Sequence, residues 1–126
     1  MSGDGDDKDG KKTLTIMLVK GPYVSEAADM ALKTALAARR RGHEVNLFIY
    51  LDGAWNAHIT GEKDYNNPGE WIRSAIKRGV KVKACERCSL ARDLTQDNII
   101  EGIEISGSYS FMEMIKRSDR VLSFGG

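Results

Sequence analysis

The chain has 126 residues, which points to one domain with a single packed core. Its 19 basic and 18 acidic side chains leave a net charge of +1, so no electrostatic footprint for nucleic acid is expected. No apolar run approaches the roughly 20 residues that span a bilayer, so no membrane partner is expected either.

Residues 1–12 are mainly glycine, aspartate and lysine. Such a stretch buries too little apolar surface to offset the entropy of ordering, and a disordered tail is expected there, with one domain over 13–126. The first ten residues lack the basic start and apolar stretch of a signal peptide, so a cytoplasmic location is expected. Thr13 to Lys20 is a mostly apolar run that predicts a central strand buried on both faces. Gly21-Pro22 ends it. Ser25 is the expected N-cap of a helix, with Glu26 and Asp29 in its first turn. Val24, Ala28, Ala31, Ala35 and Ala38, with Leu32 and Leu36 alongside, have the spacing of one buried helical face. Arg39-Arg40-Arg41 and Gly42 stop the helix, and the arginines read as a solvated terminus.

Glu44 to Leu51 predicts a second strand, and strand–helix–strand implies parallel pairing with a right-handed crossover. Asp52-Gly53 turns the chain. Ala54 to Asn67 reads as a long loop carrying Trp55, His58 and Tyr65, of a length that often covers a site. Asn67-Pro68-Gly69-Glu70 is a cap, a proline at the first helical position and a carboxylate two residues on. Trp71, Ile72, Ala75 and Ile76 give that helix its buried face, and Lys77-Arg78-Gly79 stops it. Val80, Val82 and Ala84 then alternate with Lys81 and Lys83 at the period of a strand. Leu90 to Leu94 suggests a short helix, and 102–106 a short strand. Ser110 and Glu113 form a capping-box pattern for a helix in which Met112 and Met114 are filler. Arg120 to Phe124 is the last strand. This alternation predicts an α/β fold, a three-layer α/β/α sandwich with a mostly parallel five-stranded sheet.

Both cysteines lie at the carboxyl end of the Val80 strand, as Cys85-Glu86-Arg87-Cys88. In open α/β sheets that edge collects ligands and chemistry. A thiol where a helix begins meets free N–H groups and the positive end of the dipole, which favour the nucleophilic thiolate. Arg87, Arg92 and Lys20 are candidates to stabilise the anion further, and Glu86 opposes them. The bland reading of Cys85 is a small buried hydrophobe. Cys85 and Cys88 are three residues apart, a spacing that permits a disulfide or a dithiol relay. Zinc would need four ligands, and His43 falls at the opposite sheet edge, so no metal site is expected. His58 is either a general base or a satisfied surface residue. The Lys20–Ser25 connection has one glycine and no phosphate-binding pattern. Trp55, Tyr65 and Trp71 read as loop packing or a subunit contact.

Ser25-Glu26-Ala27, Gly42-His43-Glu44-Val45, Asp52-Gly53, Val80 to Cys85, Arg92, Glu101-Gly102-Ile103 and Ser118 to Gly125 follow one another in an order that is informative as a set. Together they resemble the DsrE/DsrF/TusD-like family of sulfur-relay proteins. Where the family commonly has Arg-Gly, this chain has Arg92-Asp93, which bears on the shape of that loop. The resemblance covers most of residues 13–125. It implies a sulfurtransferase or sulfur carrier that holds a persulfide on Cys85, with Arg92 stabilising the anion and Cys88 in an auxiliary role. It implies a protein sulfur donor, a small acceptor carrier, a homo-oligomer or an assembly with paralogous subunits, and no organic cofactor. A Cys-x-x-Cys dithiol oxidoreductase and a non-catalytic subunit of a larger assembly are the alternatives.

Overall fold

The computed structural model describes residues 10–58 and 67–125. Its strands are β1 (Thr13–Leu18), β2 (Glu44–Ile49), β3 (Lys81–Cys85), β4 (Glu104–Ser106) and β5 (Arg120–Phe124). They form one sheet in the order β4-β3-β2-β1-β5, and every pairing is parallel. The helices are α1 (Ala27–Arg40), α2 (Pro68–Lys77), α3 (Glu86–Ala91) and α4 (Ser108–Lys116), with a 3₁₀ segment at Leu51–His58. This is the layered α/β sandwich that the sequence predicts. The tail expected over 1–12 lies mostly outside the described residues, but Lys12 is held: its N–H donates to His43 Nδ1 and its carbonyl accepts from Glu44.

The two faces of the sheet differ. On one, Ile16, Leu18, Val45, Leu47, Ile49, Val82 and Ala84 are all buried beneath α1 and α2. Alanines 28, 31 and 35 of α1 and Ala75 of α2 face them, and their small side chains allow close helix–sheet packing. The other face carries Thr15, Asn46, Phe48, Lys83 and Cys85 and has the lighter cover. There Phe111 of α4 stacks on Phe48 at 4.2 Å, and Lys83 Nζ donates to Ser110 Oγ at 2.7 Å. A smaller apolar cluster of Phe48, Ala54, Cys85, Cys88, Leu94 and Met114 forms on this side.

Three helices end by one device. After α1, Gly42 N–H bonds Arg39 O and His43 N–H bonds Ala38 O; after α2, Gly79 and Val80 repeat the pattern on Ile76 and Ala75. After α3, Asp93 N–H bonds Leu90 O and Leu94 N–H bonds Ser89 O. This is the Schellman arrangement, which needs a left-handed residue at its pivot. Gly42, Gly79 and Asp93 have φ of 90°, 101° and 59°. Asp93 therefore holds the left-handed shape that glycine holds at the other two pivots, a conformation aspartate tolerates better than most residues.

Several local expectations are corrected. The 3₁₀ segment replaces the loop expected from Ala54. Asn56, fully buried, donates to both Lys20 O and Gly53 O and pins it. Residues 59–66, including Tyr65, lie outside the described residues. Helix α3 begins at Glu86, not Leu90, because Cys85 caps it. Ser110 caps nothing: α4 starts two residues earlier, after Gly107, and the Ser110 hydroxyl is taken by Lys83. Ser25 sits one residue before the cap position, where its Oγ accepts from Ala27 N–H. The first two strands stop at Leu18 and Ile49, two residues short. Arg39 is no solvated terminus, since its guanidinium donates to His43 O and Arg78 O and ties the ends of α1 and α2 together.

Because Asp93 pivots the end of α3, Asp93→Gly should leave stability unchanged or raise it by up to about 1 kcal/mol. Asp93→Val should lower it by about 1–2 kcal/mol, since a β-branched residue resists positive φ. Urea unfolding midpoints measure both. Valine tolerated as well as glycine would show that the pivot is not constrained.

Candidate functional site

Cys85 belongs to two elements. It is the last residue of β3, paired with Ser106 of β4, and it is the N-cap of α3 with φ −62° and ψ 129°. Its Sγ accepts the Cys88 N–H at 3.5 Å, the contact a capping side chain makes. The side chain thus points back over the first helical turn, toward Cys88. Cys85 is 7% exposed and lines an open cavity of about 540 Å³ shared with Tyr50, Leu51, Arg87, Cys88 and Arg92.

Cys88 is held from outside its own helix. The Leu51 N–H donates to its Sγ at 3.1 Å. Leu51 has φ 54°, a left-handed conformation unusual for leucine. The turn that holds it is fixed on both sides. Tyr50 N–H extends the β1–β2 pairing to Leu18 O, and Gly53 N–H closes on Tyr50 O. A side chain at Gly53 would run onto the Leu18 carbonyl. Arg92 then braces this turn against α3: Nη2 donates to Asp52 Oδ1 at 2.7 Å and Nη1 to Cys88 O at 3.0 Å.

Burial pushes the Cys88 thiol above its ordinary value, and the neighbouring Cys85 thiol adds to the effect. The Leu51 N–H and the Arg92 charge pull the other way without cancelling it. Cys88 is therefore a protonated thiol at neutral pH.

The other candidates are dispersed. Arg87 is exposed and lines the cysteine cavity. Arg92 lines it too, but its guanidinium donates to Asp52 and to the Cys88 carbonyl, so it bears on Cys88 and the turn. Lys20 lies beyond the end of β1, two strands away, in a separate hollow of about 580 Å³ with Trp55 and His58. His58 Nδ1 donates to Asn98 O at 2.6 Å, and His43 is at the amino-terminal edge of the sheet. Trp71 packs against the main core with Lys33 over its ring. Among the described residues no group of three His, Cys, Asp or Glu side chains could hold a metal ion, and no helix is long and apolar enough to cross a membrane. Leu51 and Asp52 were not legible as site residues. Asp52-Gly53 signals a turn, but a left-handed leucine and an ion pair spanning 40 residues leave no mark in sequence.

Two outcomes follow from this geometry. In the unfolded chain the Cys88 thiol ionises near 9.0, whereas in the folded chain it keeps its proton to higher pH. The folded state then binds more protons as pH rises through that window, so stability should be full below about 9 and fall above it. Unfolding free energy measured across alkaline pH should decline less steeply in Cys88→Ala. Gly53→Ala should cost about 2–4 kcal/mol by forcing the turn off Leu18, as thermal unfolding would show.

The chain is similar to several known proteins. The chain is 35% identical over 121 residues to the uncharacterized protein MK0008 of Methanopyrus kandleri, covering 92% of this chain and 97% of that protein. It is 28% identical over 130 residues to a sulfurtransferase TusD homolog of Vibrio parahaemolyticus, covering 91% of this chain and 99% of that protein. The crystal structure of the ychN protein from E. coli superposes with a TM-score of 0.83 over 90% of this chain and 99% of that one; at 24% identity this speaks to the fold. The model of the DsrE/DsrF-like family matches residues 12–124, and the chain belongs to that family.

Proposed function

We propose that the chain is a sulfur carrier of the sulfurtransferase type, taking sulfane sulfur as a persulfide on Cys85 and passing it to an acceptor thiol. The observation that carries this reading is the position of Cys85. It ends a parallel strand, caps the following helix, and lines a cavity open to an incoming donor. The Cys85 thiolate attacks the sulfane sulfur of a donor, and the donor's own sulfur leaves with the electron pair of the broken bond. An acceptor thiolate then attacks the outer sulfur, and Cys85 leaves as thiolate. Both steps follow the rules of thiol–disulfide exchange. Each moves sulfur between sulfur atoms and calls for no organic cofactor.

The exposed Arg87 at the cavity mouth supplies positive charge near an anionic persulfide. The start of α4 at Gly107 and Ser108 lines the same cavity, where its backbone N–H groups favour the anion and the nearby Glu86 carboxylate opposes it. The similarity to proteins named as sulfurtransferases supports the reaction class. The partners proposed are a protein sulfur donor and a small acceptor carrier, with the chain working as a homo-oligomer in the cytoplasm.

The test uses Cys88→Ser, in which only one thiol remains. After exposure to inorganic polysulfide and gel filtration, this variant should gain the mass of one sulfur atom. Cyanide should then remove that sulfur as thiocyanate. Cys85→Ser should gain none. Equal loading of both variants would sink the assignment to Cys85, and no loading of either would favour a non-catalytic subunit.

A further inference from the structure

We propose that Cys88 is a resolving thiol: it attacks the persulfide on Cys85, expels hydrosulfide and closes a Cys85–Cys88 disulfide, so that the chain can release stored sulfur as sulfide. This rests on the persulfide reading of Cys85 and adds a second fate for the sulfur.

The geometry is that of a directed pair. As the N-cap of α3, Cys85 turns its Sγ over the first turn and accepts the N–H of Cys88 itself. Residues so spaced lie on one helix face. Both thiols line the same cavity, and each is 7% exposed. A cysteine serving only as a small hydrophobe has no need of an N–H aimed at its sulfur. Cys88 has one, from a leucine in a strained backbone conformation. The Arg92 brace grips the Cys88 carbonyl and Asp52 together, and so fixes the distance between that N–H and the sulfur it serves.

The two sulfur atoms of the persulfide meet different nucleophiles. Cys88 is tethered within one helical turn of the inner sulfur, the Cys85 Sγ. A thiol arriving from solvent meets the outer sulfur first. Attack on the outer sulfur transfers it; attack on the inner sulfur releases it.

The step balances without an external reagent. The persulfide anion, Cys85–S–S⁻, takes the proton of the Cys88 thiol on its outer sulfur. The Cys88 thiolate, stabilised by the Leu51 N–H, attacks the Cys85 Sγ. The bond between Cys88 Sγ and Cys85 Sγ forms as the bond from Cys85 Sγ to the outer sulfur breaks. The outer sulfur leaves with the bonding pair as HS⁻. The sulfane sulfur is reduced to sulfide, and the two cysteines are oxidised to a disulfide. Burial keeps the Cys88 proton in place at neutral pH, where this step uses it. A second turnover requires a dithiol reductant to reopen the disulfide.

The experiment loads the full chain with inorganic polysulfide in the absence of oxygen and reductant, removes the excess, and follows free sulfide and intact mass together. The wild-type chain should release one sulfide per disulfide formed and finish lighter than the reduced protein by two hydrogen atoms. Cys88→Ser should keep its extra sulfur, with a persulfide lifetime longer by about tenfold or more, and release sulfide only when an external thiol is added. Cys88→Ala repeats the measurement without a buried hydroxyl, and circular dichroism confirms that each variant is folded. A wild-type persulfide as long-lived as that of folded Cys88→Ala would overturn the proposal and leave the Cys85 carrier intact. Failure of both Cys88 variants to take up sulfur would overturn the carrier reading, and this inference with it.

Discussion

The site depends on one constraint: a single residue must both finish a strand and start a helix. Cys85 takes its backbone pairing from β4 while its side chain caps α3. A residue with only the first role would point into one face of the sheet and stop there. With the second, its sulfur is turned along the helix and its rotamer is set by the cap contact. Because β2 and β3 are parallel neighbours, their carboxyl ends emerge side by side. The turn after β2 therefore lands against the helix after β3, and Leu51 meets Cys88. The cavity is a consequence of strand direction before it is one of side-chain choice.

The unequal faces of the sheet explain why the cysteine cavity sits where it does. The face under α1 and α2 is a dense aliphatic core and supplies the burial that stabilises the chain. The opposite face is polar over much of its area, with a lysine, an asparagine and a threonine on its central strands. Its apolar part is confined to the end near Cys85, where Phe48 and Phe111 stack. The cysteines thus rest on a small rigid floor at the rim of a weakly covered face. The topological switch of the sheet lies between β1 and β5, two strands from Cys85. The general rule for open sheets points to the edge that carries the cysteines, but to a crevice at the switch point rather than to this one.

The layers were legible because their signals are periodic. The alanine face of α1, the alternation of Val80 to Ala84 and the glycines after α1 and α2 each repeat a local rule, and each is where the pattern puts it. Cys85 was legible for the same reason, since a strand that runs into polar residues announces its own end. The misreadings share a different cause. Ser110 looks like a cap by sequence, but its hydroxyl is claimed by Lys83 from a strand 27 residues away. Ala54 to His58 looks like a loop, but Asn56 finds two carbonyls from the turns around it. In each case a long-range hydrogen bond outcompetes the local preference, and no local rule carries that information. Asp93 is the converse case. It breaks the expected Arg-Gly, yet the backbone keeps its shape, because the Schellman bonds on Ser89 and Leu90 hold the conformation.

The Asp52–Arg92 pair shows what such contacts are for. Its carboxylate is 68% exposed, and a pair of that kind contributes about 1 kcal/mol at most. As a stabiliser of the fold it is negligible beside the core. Its effect is on position. Arg92 is planar and multidentate, so binding Asp52 with one end and the Cys88 carbonyl with the other fixes the angle between two backbone segments. Lysine would satisfy the charge and lose the angle. The strain in Leu51 persists under the same logic, because Gly53 is wedged on Leu18 and Asp52 is held by Arg92. A few weak contacts, each ordinary in energy, together over-determine where one N–H points, and that N–H points at a thiol.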